Sequence, residues 1–260
     1  MAMKMESGPG GTVVLLPEDY VKASRPFPAI YLVGGDLRSE RQEILAAYRQ
    51  YALSRRDALS QPAAVLVQLS AAESARDFTP WPAAPLHAGE APFAGQADAF
   101  LRETVLPLKA QIEQNYHVES RAAGAALLGY SLAGLFCLYA LFRTPCFGAA
   151  GSMSGSLWYE GWPAFLDTHT PLSDAPRIYL SLGRKEKERG SRRMRTVEAN
   201  TQKTYTYFLA HSGDETRVSL ALQPGGHFHQ IAARYGAALY MLSTGMTADL
   251  AAKPVQSEKG

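Results

Sequence analysis

Ser131 lies in the segment Gly129-Tyr-Ser-Leu-Ala-Gly134, with one apolar run before it (Ala125–Leu128) and another after it (Leu132–Phe142). A strand that turns into a helix within a few residues lifts the side chain at the turn clear of the backbone, and small neighbours let the two elements approach. The pattern for such a nucleophile elbow is Gly-x-Ser-x-Gly; here Ala133 stands at the last glycine and Gly134 follows it. A serine hydroxyl is a weak nucleophile and needs a base within hydrogen-bond reach. In this arrangement the base follows the last strand. The segment Leu220-Ala-Leu-Gln-Pro-Gly-Gly-His-Phe-His229 offers His227 after a tight loop, with His229 as its rival; His87, His117, His169 and His211 lie upstream. A carboxylate between the two in sequence would hold the imidazole tautomer. Glu186 stands at that position, and Glu188 and Asp214 are alternatives. Two backbone N–H groups must face the developing oxyanion: one from Leu132 and one from Gly35, in the Gly34-Gly35-Asp36 loop. Together these residues could carry acyl transfer through a serine ester, with no metal or organic cofactor.

The elements that must position them alternate. Strands are expected near Val13–Leu16, Ala29–Val33, Ala64–Leu69, Ala125–Gly129, Phe147–Gly151, Ile178–Leu182 and Arg217–Leu222. Helical patterns fall near Ser39–Ser54, Ala97–Tyr116 (with a kink at Pro107), Leu132–Phe142, Arg193–His211 and Gln230–Ser243. Such alternation implies an α/β fold, a mostly parallel sheet with helices on both faces. The stretch from Pro80 to Gly95 is rich in Pro, Ala and Gly and reads as irregular, at the carboxyl end of the sheet where ligands bind in open α/β folds. One domain over residues 1–260 is expected, with 1–11 and 248–260 as frayed ends.

Composition narrows the function classes. A formal charge of +2 from 26 basic and 24 acidic residues gives no drive toward nucleic acid or an anionic membrane. Two cysteines, Cys137 and Cys146, exclude a disulfide framework, and neither CxxC nor HExxH occurs. The 21 residues from Ala122 to Phe142 carry no charge, but glycines and Ser131 interrupt them; they read as a buried strand and helix, not a membrane span. The N-terminal apolar run, Val13–Leu16, is shorter than a secretory signal requires, so a cytoplasmic location is expected unless the native start was trimmed.

Several further segments accompany the elbow: LPEDY (16–20), YLVGGD (31–36), ARDFTPW (75–81), GYSLAGLF (129–136), SGSLWY (154–159), LSLGRKEKERGSRRM (180–194) and GGHFHQIAARYGAAL (225–239). In this order they resemble the esterase D superfamily, in particular its enterochelin-esterase-like branch. The resemblance implies an α/β-hydrolase fold with no separate lid domain. It favours His227 over His229 by its spacing from Ala238-Leu239. It implies a carboxylate near Glu186, although some siderophore hydrolases of this branch work with a serine–histidine dyad. Two departures stand out: the branch usually has glycine at Ala133, and Asp-Gly where this chain has Gly34-Gly35.

The resemblance also implies a small-molecule ester as the partner, in some members a catecholate siderophore trilactone or its ferric complex. Between Arg184 and Arg195 stand seven cations (Arg184, Lys185, Lys187, Arg189, Arg192, Arg193, Arg195) and two glutamates, which would attract a trianionic ferric tris-catecholate. Arg76 could pair with an oxyanion, and Trp81, Trp158 and Tyr159 could wall a site for aromatic rings. The rival readings are a short-chain carboxylesterase, a thioesterase or acyltransferase, and a non-catalytic binding protein of the same fold.

Overall fold

The computed structural model describes residues 3–59, 61–69, 72–188 and 190–252. In chain order its strands are β1 (Lys4–Ser7), β2 (Val13–Leu16), β3 (Ala29–Val33), β4 (Val65–Gln68), β5 (Pro82–Ala83), β6 (Phe93–Ala94), β7 (Ala125–Tyr130), β8 (Ala149–Met153), β9 (Arg177–Gly183) and β10 (Val218–Gln223). The α-helices are α1 (Leu37–Ser54), α2 (Ser74–Asp77), α3 (Ala97–Phe100), α4 (Leu106–Asn115), α5 (Leu132–Ala140), α6 (Trp162–Thr168), α7 (Val197–Ser212) and α8 (Ile231–Ala252). Among the described residues the main sheet has the order β1-β2-β4-β3-β7-β8-β9-β10. From β4 to β10 the pairing is parallel; β1 and β2 add an antiparallel edge. This is the expected α/β-hydrolase architecture.

Period-two alternation sends side chains to two cores. Tyr31, Val33, Val67, Leu127 and Leu180 face one layer with Phe136 and Leu138 of α5 and Phe208 of α7. Ile30, Leu32, Leu66, Leu128 and Tyr179 face the other, with Ile44 and Tyr48 of α1 and Leu239 and Leu242 of α8. Helices α1 and α8 touch where Gly236 meets the backbone of Ala47 and Tyr48, and a Cβ added there would lie 2.5 Å from both. Gly236→Ala is therefore expected to destabilise the fold by about 1–3 kcal/mol through overpacking. A denaturant midpoint equal to the native one would count against this contact.

The structure departs from the sequence expectations at four places. The N-terminal segment, expected to fray, contributes β1, paired from Lys4↔Leu16 to Ser7↔Val13; the apolar β2 strand would otherwise expose an edge. Helix α8 runs on to Ala252 instead of ending near Ser243, and Asp249 there accepts from Arg177 and Arg217. The Pro80–Gly95 stretch contains a small antiparallel pair, β5 with β6. Pro107 is accommodated by a π-helical stretch, Leu101–Val105, between α3 and α4; widening the helix relieves the clash of the ring with the preceding turn. The uncharged run from Ala122 to Phe142 is β7 and α5, and no described helix is long and apolar enough to cross a membrane.

Candidate active site

The site forms where β7, β9 and β10 end. Ser131, the residue between β7 and α5, has φ 58° and ψ −123°, a conformation that L-residues rarely adopt. Its N–H donates to the Met153 carbonyl at 3.0 Å, which holds the turn to β8. Gly129 is required: a Cβ there would lie 2.5 Å from the carbonyl of Ala133. The two departures from the family pattern meet in space. Gly34, at φ 69°, would place an added Cβ 3.4 Å from the Ala133 methyl and 3.3 Å from Phe78. A side chain at 34 would reach ordinary contact with the Ala133 methyl and press on Phe78, and the positive φ itself favours glycine there.

Strand register brings the remaining groups together. β9 and β10 run parallel up to the pair Gly183↔Gln223, and the ladder continues as Arg184 N–H donates to Gln223 and Lys185 N–H to Gly225. The chain then delivers Glu186 from one loop and His227 from the other. His227 Nδ1 lies 2.9 Å from Glu186 Oε2, and Nε2 lies 3.1 Å from Ser131 Oγ. A carboxylate only accepts, so Nδ1 carries the proton, Nε2 is the acceptor, and the Ser131 hydroxyl donates to it. Ser156 Oγ lies 3.2 Å from Ser131 Oγ on the other side and, by the same logic, donates to it. The Tyr130 hydroxyl donates to the His227 carbonyl and fixes that loop to the elbow. Such a line can pass a proton from the serine to the imidazole while the carboxylate holds the ring.

Glu186 is 5% exposed at its side chain. Its Oε1 accepts from the Gly183 N–H at 2.7 Å, from Ser154 Oγ at 2.7 Å and from Arg234 Nη1 at 2.9 Å. Burial is the largest single influence on this carboxyl and pushes its pKa up. The hydrogen bonds from His227, Ser154 and Gly183, with the charge of His227, outweigh it and leave the pKa below its ordinary value of 4.5. Of the sequence alternatives, Asp214 instead caps its own turn, accepting from Thr216, and His229 lines the cavity while His227 makes the bonds.

A cavity of about 720 Å³ opens over Ser131. Leu86, Phe93, Leu132, Trp158, Met194 and Val197 form apolar walls; Lys185, His229 and the 82%-exposed Phe228 stand around it. Several expectations are corrected here. Arg76 does not line it: the guanidinium grips Asp77 through Nε at 2.8 Å and Nη2 at 3.1 Å. Trp81 and Tyr159 are also absent from the walls. Trp81 packs on Tyr139, Tyr159 and Phe165 and donates to the Glu160 carbonyl, and the Tyr159 hydroxyl donates to the Trp81 carbonyl. With their polar atoms spent on backbone carbonyls, both act as braces, Tyr159 buried and Trp81 half-buried. Trp158 does face the cavity.

The basic stretch divides. Lys185 lines the cavity; Lys187 pairs with Glu198 at 2.8 Å; Arg193 pairs with Glu160 at 3.2 Å and lies over Trp158 and Phe93, behind the wall. Arg184, Arg192 and Arg195 are exposed and do not line the cavity, and Arg189 lies outside the described residues. Gly35 lies in the loop after β3, where its carbonyl accepts from Gln68 Nε2 at 2.7 Å, and is not a wall residue. Leu132 occupies the first position of α5, where an N–H has no acceptor within the helix.

Comparison with known proteins gives this arrangement its context. The Esterase family model matches residues 7–227, most of the chain. The chain belongs to this family. The esterase is 27% identical over 217 residues to YbbA, an uncharacterized protein of Bacillus subtilis, covering 82% of this chain and 84% of that one. Its fold is that of the BES protein from Bacillus cereus (TM-score 0.63, 20% identity, 94% and 96% of the chains covered). It is likewise that of the siderophore hydrolase EstA from Aspergillus nidulans (TM-score 0.61, 20% identity, 94% of both chains). The protein is thus a carboxylic-ester hydrolase of the α/β-hydrolase fold.

Residues that the sequence left unnoticed complete the site. Ser154 is buried at φ 46°, and Ser156 touches Ser131; both lie in SGSLWY. Arg234 is the only charged residue from Ile231 to Ala248, and a lone charge in so apolar a helix is the signal that could have marked it.

Proposed function

We propose that the esterase works through an acyl-enzyme, with Ser131 as nucleophile, His227 as general base and then acid, and Glu186 as the carboxylate that orients it. The observation that carries this reading is the unbroken line Glu186 Oε2–His227–Ser131 Oγ, at 2.9 and 3.1 Å, at the foot of the cavity. Ser131 Oγ attacks the ester carbonyl as its proton passes to His227 Nε2. The oxyanion sits against the N–H of Leu132 at the start of α5, and the loop after β3 that carries Gly35 is the source of the second donor. As the intermediate collapses, the ester C–O bond breaks and His227 gives the proton to the leaving alkoxide. Water then repeats the sequence on the acyl-serine, releasing the acid and restoring the Ser131 hydroxyl. The chemistry requires no metal or organic cofactor, and any iron belongs to the substrate.

The substrate is a catecholate siderophore trilactone or a related ester. Two observations support this class: the likeness to EstA, a siderophore hydrolase of the same fold, and a cavity that joins aromatic walls, Phe93 and Trp158, to a cation, Lys185. Its volume suits a ligand of this size. The native protein and Ser131→Ala are to be incubated with enterobactin-type trilactone, with and without iron, and ring opening followed by chromatography. Opening by the native protein alone supports both nucleophile and substrate. Turnover of p-nitrophenyl acetate with no trilactone turnover would move the assignment to a generic carboxylesterase.

If Lys185 meets the anionic substrate, Lys185→Ala lowers kcat/KM for the ferric complex by about three- to tenfold at low salt, and the difference disappears at high salt. The variant leaves p-nitrophenyl acetate hydrolysis unchanged. Equal losses on both substrates would show that Lys185 acts on the fold and not on the charge of the ligand.

A further inference from the structure

We infer that Arg234 is a positioning residue of the catalytic line: it dictates which Glu186 oxygen faces His227, and it supplies the counter-charge to that buried carboxylate. The inference rests on the serine-hydrolase reading above. Arg234 is 1% exposed and stands in the first turn of α8. That place disfavours a cation twice, through lost hydration and through the positive end of the helix dipole. Its guanidinium stays there by joining the four segments that build the site, at the ends of β7, β8, β9 and β10. Nη1 donates to Glu186 Oε1 at 2.9 Å, and also to Ser154 Oγ. The same nitrogen reaches the hydroxyl of Tyr130, the residue before the nucleophile, at 3.3 Å. Nη2 donates to the carbonyl of Gly226, the residue before His227, at 2.8 Å.

The consequence for catalysis follows from how the carboxylate is divided. Arg234, Ser154 and the Gly183 N–H all occupy Oε1, so Oε2 is left to His227. The fork thereby sets the rotation of the carboxylate and, through it, the tautomer of the ring. Its charge also matters. A buried carboxylate facing an imidazole with no counter-cation would hold a proton on the ring over a wider pH range, and a protonated ring cannot accept from Ser131. A purely structural ion pair would need none of these contacts with the loops, since buried pairs of that kind are often replaceable by apolar groups. The other titratable groups around the pair are Tyr130 on β7, Tyr179 on β9, Lys185, and His229; burial raises both tyrosines above their usual range, so they stay neutral near pH 7.

The test is the titration of the His227 ring, followed by NMR in the native protein, Arg234→Met and Arg234→Lys, together with kcat and KM for p-nitrophenyl acetate across pH. With Arg234→Met the His227 midpoint should rise by about one pH unit, and the acidic limb of kcat/KM should move to higher pH with it. In the same variant kcat should fall by about tenfold or more, with KM within about twofold of native. Arg234→Lys keeps the charge without the fork, so the midpoint should return close to native while kcat remains low. An unchanged midpoint in Arg234→Met, with only a lower Tm, would overturn the proposal. If Arg234→Met does not fold, Arg234→Lys decides, and native kcat there overturns it. Labelling of Ser131 by a fluorophosphonate tests the hydrolase reading separately. An unlabelled native protein would remove that reading, whereas the NMR titration reports on the Arg234–Glu186–His227 coupling without needing turnover.

Discussion

Ser131→Ala is expected to reduce ester turnover by about 10⁵–10⁶-fold and to abolish fluorophosphonate labelling, with KM little changed. In the proposed mechanism the reaction loses the atom that forms the acyl bond, and the rest of the cavity keeps its walls. What activity remains would come from the oxyanion donors and from binding. Turnover above about 1% of native would mean that another group attacks the ester, and the assignment of Ser131 would fall. The same position tests the strain at the elbow. Ser131 holds φ 58° and ψ −123°, and glycine reaches such a conformation without steric cost. Ser131→Gly should therefore be more stable than Ser131→Ala by about 1 kcal/mol, measurable by denaturant unfolding. Equal stability would show that the turn carries no strain that a side chain feels.

Glu186→Gln is expected to lower kcat by about 10⁴-fold, although it changes one atom and keeps the shape. The reason lies in the three donors around Oε1: the Gly183 N–H, Ser154 Oγ and Arg234 Nη1. They require an acceptor, so the amide oxygen must take that place and the NH₂ group must turn toward His227. His227 Nδ1 then accepts, its proton moves to Nε2, and the ring no longer takes the Ser131 proton. A variant with more than about a tenth of native kcat would show that the ring keeps its tautomer without the carboxylate. The substitution also leaves Arg234 buried without its counter-charge, at a cost of about 3–5 kcal/mol. The folded-state pKa of Glu186 lies below its ordinary value of 4.5. Its stabilising contribution is thus fully present above that value and is lost as pH falls through the lower, folded-state pKa. The stability gap between native and variant should accordingly be wide at pH 7 and close under acid conditions. A gap that is the same at pH 3 and pH 7 would rule out the ionised carboxylate as its source.

Much of the fold was legible because its signals are local. The strands at Val13–Leu16 and Ala29–Val33 have the expected bounds, since short apolar runs between turn residues admit few alternatives. The ends went wrong where local signals stop. Nothing in Lys4–Ser7 resembles a buried strand, and it is ordered because β2 offers an edge to pair with. The same distinction runs through the site. Ser131 and His227 could be singled out from their own neighbourhoods, a strand–helix turn of small residues and a Pro-Gly-Gly loop after the last strand.

Local signals along the chain specified the alternation of elements and the two residues marked by short-range geometry. Tertiary structure alone decided which carboxylate reaches His227, because that depends on the shared register of β9 and β10 carrying Glu186 and His227 out of the sheet side by side. It also decided that Trp158 faces the cavity while Trp81 and Tyr159 brace it from behind, and that Arg76 is held by its neighbour Asp77. Arg234 is the plainest case. In the sequence it is one cation in a helix; in the fold it is buried against Glu186, and only the meeting of four distant segments makes that charge tolerable there. Periodicity encodes which face of an element is apolar, but the worth of a buried charge depends on partners far away in the chain.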